Sequence, residues 1–347
     1  MTAPGACILG CAGLTLGRDE AAFFREADPW GFILFARNVA DPGQISALTA
    51  DLRASVGRDA PIFIDQEGGR VARLGPPHWR VWMAPLDHVA AAGAGAARAM
   101  ELRYRLIAAE LRALGIDGNC APTCDVATPE THPFLRNRCL GTEAAEVARL
   151  ARAAAQGMLA GGVLPVLKHI PGHGRATADS HLGLPVVAAD AETLWQSDFA
   201  PFAALSDMPI AMTAHVVYAA LDPDLPATLS PAILRLIRGR MGYDGLIMSD
   251  DLSMKALRGG LGELATAALG AGCDLVLHCN GDRAEMAQVV AAAGRLGGAA
   301  AARGGGGGGR GGGGGAARAA RALACRGAPD ALDEGAALAE LRALGHG

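Results

Sequence analysis

Val163-Leu164-Pro165-Val166-Leu167-Lys168-His169 is a run of five apolar residues closed by an ammonium and an imidazole. A strand apolar at every position belongs to a sheet covered on both faces, which is the signature of parallel pairing under helices. Seven further runs of this kind surround it, at 7–10, 32–35, 61–64, 115–121, 209–213, 245–248 and 273–277. Ala/Leu/Arg-rich stretches with helical spacing separate them, among them 44–54, 94–114, 144–159 and 229–241. Eight strand–helix units in 347 residues predict an α/β fold, a single (β/α)8 TIM-type barrel. An open doubly wound sheet is the alternative, but no Gly-x-Gly-x-x-Gly follows the first run. Residues 1–347 are therefore expected to form one catalytic domain. Eleven glycines around Arg310 fill 304–315. Glycine costs about 1 kcal/mol per helical position relative to alanine, so this segment is expected to be flexible rather than helical, followed by a helical tail.

Composition narrows the function classes. Thirty-one Lys+Arg against 35 Asp+Glu give a net charge of −4, and the pI near 6.1 offers no basic face to nucleic acid. No stretch is long and apolar enough for a membrane span. Residues 6–16 are apolar but lack a basic segment before them, so a secretory signal is not expected. Ile8-Leu9-Gly10-Cys11 has a faint likeness to a lipoprotein cleavage site, and we read it as the first buried strand. The eight cysteines contain no C-x-x-C pair, which points to reduced core thiols in a cytoplasmic protein.

The chemistry collects where the apolar runs stop. Arg37 and Asn38 follow the second run, Asp65 the third, Lys168 and His169 the fifth, His215 the sixth, Asp250 and Asp251 the seventh, His278 and Asn280 the eighth. In a barrel these ends form one mouth, the face that carries catalysis. A single polar loop start has no meaning, but six together do. The loop after the fifth run holds His169, His173, Asp179 and His181 among glycines. Asp179 and His181 are two apart, so in extended chain they share a face, and a carboxylate beside an imidazole makes an acid/base near neutral pH. A metal cluster or a structural loop network is the other use of such a loop, but the spacings His-x-His and His-Glu-x-x-His that zinc favours are absent. Asp250 has the position of a nucleophile on a sugar carbon. Asp251 is expected to cap the following helix. Asp65, with Arg70 and Arg73 across paired glycines, has groups to grip hydroxyls or an anion.

These segments resemble family 3 glycoside hydrolases, and among them the NagZ-type β-N-acetylglucosaminidases. The matching stretches are 31–38 (Gly-Phe-Ile-Leu-Phe-Ala-Arg-Asn), 64–71 (Ile-Asp-Gln-Glu-Gly-Gly-Arg-Val), 168–174 (Lys-His-Ile-Pro-Gly-His-Gly) with Asp179-Ser180-His181, 214–216 (Ala-His-Val) and 244–254. The resemblance implies a retaining exo-β-N-acetylglucosaminidase. In that role Asp250 is the nucleophile, His181 the general acid/base and Asp179 its partner. Asp65, Arg73, Arg138, Lys168 and His169 fall where the family holds N-acetylglucosamine. The register around 134–142 also permits Arg136 in place of Arg138, since Arg138-Cys139-Leu140 departs from the family's Arg-Ser-Phe/Tyr. The resemblance further implies a cytoplasmic monomer acting on small sugars or 1,6-anhydro muropeptides in peptidoglycan recycling, with no metal, cofactor, nucleic-acid or membrane partner. Three rivals stand beside it. One is a metal-dependent barrel hydrolase using His169, His173, His181, His215 and Asp250. The others are a β-glucosidase of the same family and a sugar-binding barrel without turnover.

Overall fold

The protein is described from a computed structural model that covers residues 3–177, 183–297 and 314–345. The eight apolar runs become eight strands: β1 (Gly5–Gly10), β2 (Pro29–Leu34), β3 (Ile62–Ile64), β4 (Gly118–Asn119), β5 (Leu164–Ile170), β6 (Ile210–Thr213), β7 (Leu246–Asp251) and β8 (Leu275–His278). They close in chain order into a parallel barrel, with β1 pairing both β2 and β8. Helices α1 (Arg18–Ala27), α2 (Pro42–Val56), α3 (Ala96–Ala113), α4 (Ala144–Ala160), α5 (Ala200–Ala204), α6 (Pro231–Arg238), α7 (Leu261–Ala271) and α8 (Arg283–Ala293) clothe it. This is the TIM-type architecture predicted from the runs.

Local chemistry sets the element boundaries. The Asp41 side chain accepts from Gln44 N and Pro42 opens α2, while Gly57 ends it at φ +64. Ser230 caps α6 through Ile233 N, and Pro231 fixes its first turn. The stretch predicted as one helix at 229–241 therefore splits into a 3-10 turn, Ala227–Leu229, and a shorter α6. The fourth run is likewise shorter as a strand than predicted. Beyond Asn119 its amide side chain takes over the pairing, accepting from Gln66 N at 2.9 Å and donating to Gln66 O at 3.0 Å. Helices α3 and α4 lie so close that a Cβ at Gly157 would stand 2.2 Å from Glu101 O. Seven of the eight cysteines are buried and free, but Cys325, expected in the core, is exposed.

The tail folds as two helices, α9 (Gly315–Ala324) and α10 (Glu334–Ala343). The last glycine of the 304–315 run is thus the first residue of a helix rather than part of a flexible segment, and 304–313 lie outside the described residues. The tail straps the N-terminal rim of the barrel, opposite the mouth. Asp274, just before β8, accepts from Arg238 Nη2 at 2.7 Å, Ile247 N at 2.9 Å and Arg318 Nη2 at 2.6 Å. Asp117, just before β4, pairs with Arg53 and with Arg326 of the tail. Asp274 is only 3% exposed, so its charge is needed to offset the guanidinium ions around it. Removing one partner of such a buried pair costs about 3–5 kcal/mol. Asp274→Asn is therefore expected to lower unfolding stability in urea by about 3 kcal/mol while leaving turnover per folded molecule unchanged. An unchanged urea midpoint would remove the strap from this account.

Candidate active site

At the opposite rim, β3, β5 and β7 deliver charged side chains into one cavity of about 330 Å³. Asp65 follows β3 directly. The chain then forms a tight hairpin between Gln66–Gly68 and Val71–Ala72, turning through Gly68 and Gly69 at φ +102 and +59. The Gln66 side chain holds the hairpin from inside, accepting from Arg73 N and Leu74 N. This returns Arg73 to Asp65, where its Nη2 donates to Oδ2 at 3.1 Å. Lys168 at the end of β5 donates from Nζ to Asp65 Oδ1 at 2.9 Å and ion-pairs with Glu67. Glu67 in turn receives a two-pronged contact from Arg138, at 2.9 Å on each oxygen. The charges alternate in a row: Arg73, Asp65, Lys168, Glu67, Arg138.

The row fixes protonation states. Burial alone would raise the carboxyls of Asp65 and Glu67, but Lys168 with Arg73 outweighs it at Asp65, and Arg138 with Lys168 at Glu67. Both are held below the usual carboxylate range. Burial works against the Lys168 ammonium, yet its two carboxylates hold it above the usual lysine range. Asp250, at the end of β7, is half-buried. There His215, His169, the Asp251 N–H and Lys168 prevail over desolvation and keep it anionic at neutral pH. The Asp251 N–H donates to Asp250 Oδ1 at 2.8 Å. An ionised, partly screened carboxylate on the floor of a sugar-sized cavity is suited to attack on an electrophilic carbon.

Residues 18–301 match the glycosyl hydrolase family 3 N-terminal domain. The chain belongs to glycosyl hydrolase family 3. A β-hexosaminidase of Xylella fastidiosa is 39% identical to it over 298 residues, 83% of this chain and 87% of the relative. NagZ from Neisseria gonorrhoeae superposes with a TM-score of 0.82 at 29% identity, over 100% of this chain and 99% of that one. The same protein has been solved in complex with N-trifluoroacetyl-D-glucosamine. A family 3 β-N-acetylglucosaminidase from Paenibacillus gives a TM-score of 0.83 at 32% identity, over 98% of this chain and 67% of that one.

In this family 3 glycosidase, Asp65, Arg73, Arg138, Lys168, His169 and Asp250 all line the one cavity. Asp179 and His181 lie outside the described residues. Arg138, not Arg136, reaches the cavity; Arg136 turns away and donates to Thr128 O at 2.6 Å. Asp251 does not cap a helix. Its carboxylate accepts from Ser253 N and Oγ and from Cys279 N, tying the turn after β7 to β8. His215 is held between Thr228 Oγ1 at 2.7 Å and Asp251 O at 3.0 Å, behind Asp250. Among the described residues no group of three or more His, Cys, Asp or Glu side chains is arranged to hold a metal ion.

Asp125 escaped the sequence reading, and Glu67 and His173 were named there without the parts they take in this network. Glu67 was visible beside Asp65, but its part as the counter-ion of Lys168 and Arg138 depends on contacts far along the chain. His173, in the loop after the fifth run, is pressed down to about 4 by burial and by His169, despite Asp125, so its ring is neutral at pH 7. Asp125 was not noticed. It follows β4, whose apolar run ends without a polar group, and that omission among the strand ends was the signal. Its carboxylate accepts from His169 Nδ1 at 2.7 Å and from His173 N at 2.6 Å.

Proposed function

We propose that this glycosidase is a β-hexosaminidase acting as a retaining exo-β-N-acetylglucosaminidase, with residues 1–347 as one catalytic unit. The observation that carries the reading is the anionic Asp250 facing the Arg73–Asp65–Lys168–Glu67–Arg138 row across a cavity of single-sugar size. The β-hexosaminidase relatives and the N-acetylglucosamine analogue bound by the Neisseria protein support the choice of sugar. In the first step an Asp250 oxygen bonds to the anomeric carbon as the glycosidic bond breaks. The departing oxygen takes a proton from the His181 imidazolium. In the second step water attacks the same carbon, gives its proton to His181 and frees Asp250, so two inversions leave the configuration retained. Asp179 favours the imidazolium by charge and orients the ring. Asp65 accepts from sugar hydroxyls, while Lys168, Arg73 and Arg138 donate to sugar oxygens. His169 completes the ring-holding set. The biological substrate is a cytoplasmic 1,6-anhydro muropeptide from cell-wall turnover, and the protein works as a monomer. Side chains carry every step.

Specificity tests the sugar. A site built to hydrogen-bond particular groups rejects analogues lacking them by up to about 10⁴-fold. A chromogenic β-N-acetylglucosaminide is therefore expected to surpass the matching β-glucoside strongly in kcat/KM. Equal values would make this chain a β-glucosidase.

The acid/base is tested by leaving group. A poor leaving group needs its oxygen protonated and an activated phenol does not. His181→Ala is expected to cripple disaccharide hydrolysis while sparing much of the rate on a dinitrophenyl glycoside, with Asp179→Ala following in milder form. Equal losses on both substrates would make His181 a binding residue only.

A further inference from the structure

Asp125 is fully buried and does not line the cavity, yet its hydrogen-bond partners among the described residues do. Oδ2 faces His169 Nδ1 at 2.7 Å. Oδ1 accepts two backbone N–H groups, from His173 at 2.6 Å and from His169 at 3.2 Å. On its other side His169 Nε2 faces Arg138 Nη2 at 3.5 Å. That guanidinium is fixed in place by Glu67 and has only protons to offer.

We propose that Asp125 is a positioning residue that places the His169 proton on Nδ1 and so presents Nε2 to the cavity as a hydrogen-bond acceptor. Each neighbour's donors and acceptors fix this arrangement. Burial would raise the Asp125 carboxyl, but His169 and His173 overcome it, so the carboxylate is ionised and carries no proton. The hydrogen at the 2.7 Å contact must then sit on Nδ1. Arg138 Nη2 turns a donor toward the other ring nitrogen, a geometry that suits a lone pair on Nε2. The inference rests on the reading that His169 touches the sugar. In that case a sugar hydroxyl donates to His169 Nε2, while Lys168, Arg73 and Arg138 act as donors. The site then recognises a hydroxyl as donor and acceptor at once, which a ring oxygen or an ether cannot match.

Asp125→Asn reverses this arrangement without changing shape. Two backbone N–H groups require the amide oxygen at the Oδ1 position, leaving the NH2 to face His169 Nδ1. The ring must then accept at Nδ1 and carry its proton on Nε2, aimed at Arg138. The experiment uses the full chain with 15N-labelled histidine and two-bond 1H–15N correlation, the His169 signals being assigned by their loss in His169→Gln. Wild type is expected to show the Nδ1–H tautomer and Asp125→Asn the Nε2–H tautomer. On a chromogenic β-N-acetylglucosaminide, Asp125→Asn is expected to lose about 10- to 100-fold in kcat/KM, in line with other residues that orient a site histidine. In a His169→Gln background the same change should cost nothing further. An Nε2–H ring in wild type, an unchanged tautomer in Asp125→Asn, or additive losses would overturn the proposal. If Asp125→Asn fails to fold, the wild-type tautomer decides alone. If wild type turns over no N-acetylglucosaminide, the proposed function fails and the ring measurement still judges Asp125.

Discussion

The mouth of this barrel depends on one buried ammonium. Lys168 Nζ sits between the carboxylates of Asp65 and Glu67, with Arg73 and Arg138 closing the two ends. Removing Lys168, Glu67 and Arg138 from water costs several kcal/mol per ion, and only mutual pairing makes it tolerable. The pairing therefore imposes strict positions. It joins the hairpin after β3, the end of β5 and the loop after β4. Three cations and two anions leave a surplus of positive charge facing Asp250. That surplus helps keep the Asp250 carboxylate ionised although it is desolvated.

Stability and chemistry sit at opposite rims. At the N-terminal rim, Asp117 and Asp274 gather arginines from the barrel and from the tail, and their role ends with holding the strands and the last helices together. At the C-terminal rim the same kinds of ion pair leave lone pairs and protons turned toward a cavity. The distinction lies in what remains unsaturated. Asp274 has its lone pairs filled by Arg238, Arg318 and a backbone N–H. Asp250 accepts a backbone N–H from its neighbour and otherwise borders the cavity.

The barrel was legible because most of its strands open on unbroken apolar runs, a pattern that survives without knowing any contact. The residues at strand ends were legible for the same reason, since Asp65, Lys168, His169 and Asp250 each interrupt such a run. Asp125 was not, because it stands four residues past its run, after Pro122, and only the missing polar group at that strand end pointed toward it. Its meaning comes from His169, 44 positions away. Glu67 stood in plain view within the 64–71 motif, yet its pairing with Arg138 spans 71 positions. The misreading of Asp251 had a local cause. An acid after a strand commonly caps a helix, but here Ser253 draws it into a turn and Cys279 N anchors it across to β8. The register between Arg136 and Arg138 was likewise open in the sequence, and Glu67 distinguishes them by binding only the latter.

The central claim is that Asp250 becomes covalently bonded to the sugar during turnover. Incubation with a 5-fluoro-N-acetylglucosaminyl fluoride, followed by proteolysis and mass spectrometry, tests it most directly. The fluorine destabilises both oxocarbenium-like transition states, and the good leaving group lets the first step proceed while the second stalls. The account predicts one added N-acetylfluoroglucosaminyl group on the peptide that contains Asp250, formed in step with the loss of activity. A label on Asp65 or Glu67, or inactivation without any covalent adduct, would contradict it.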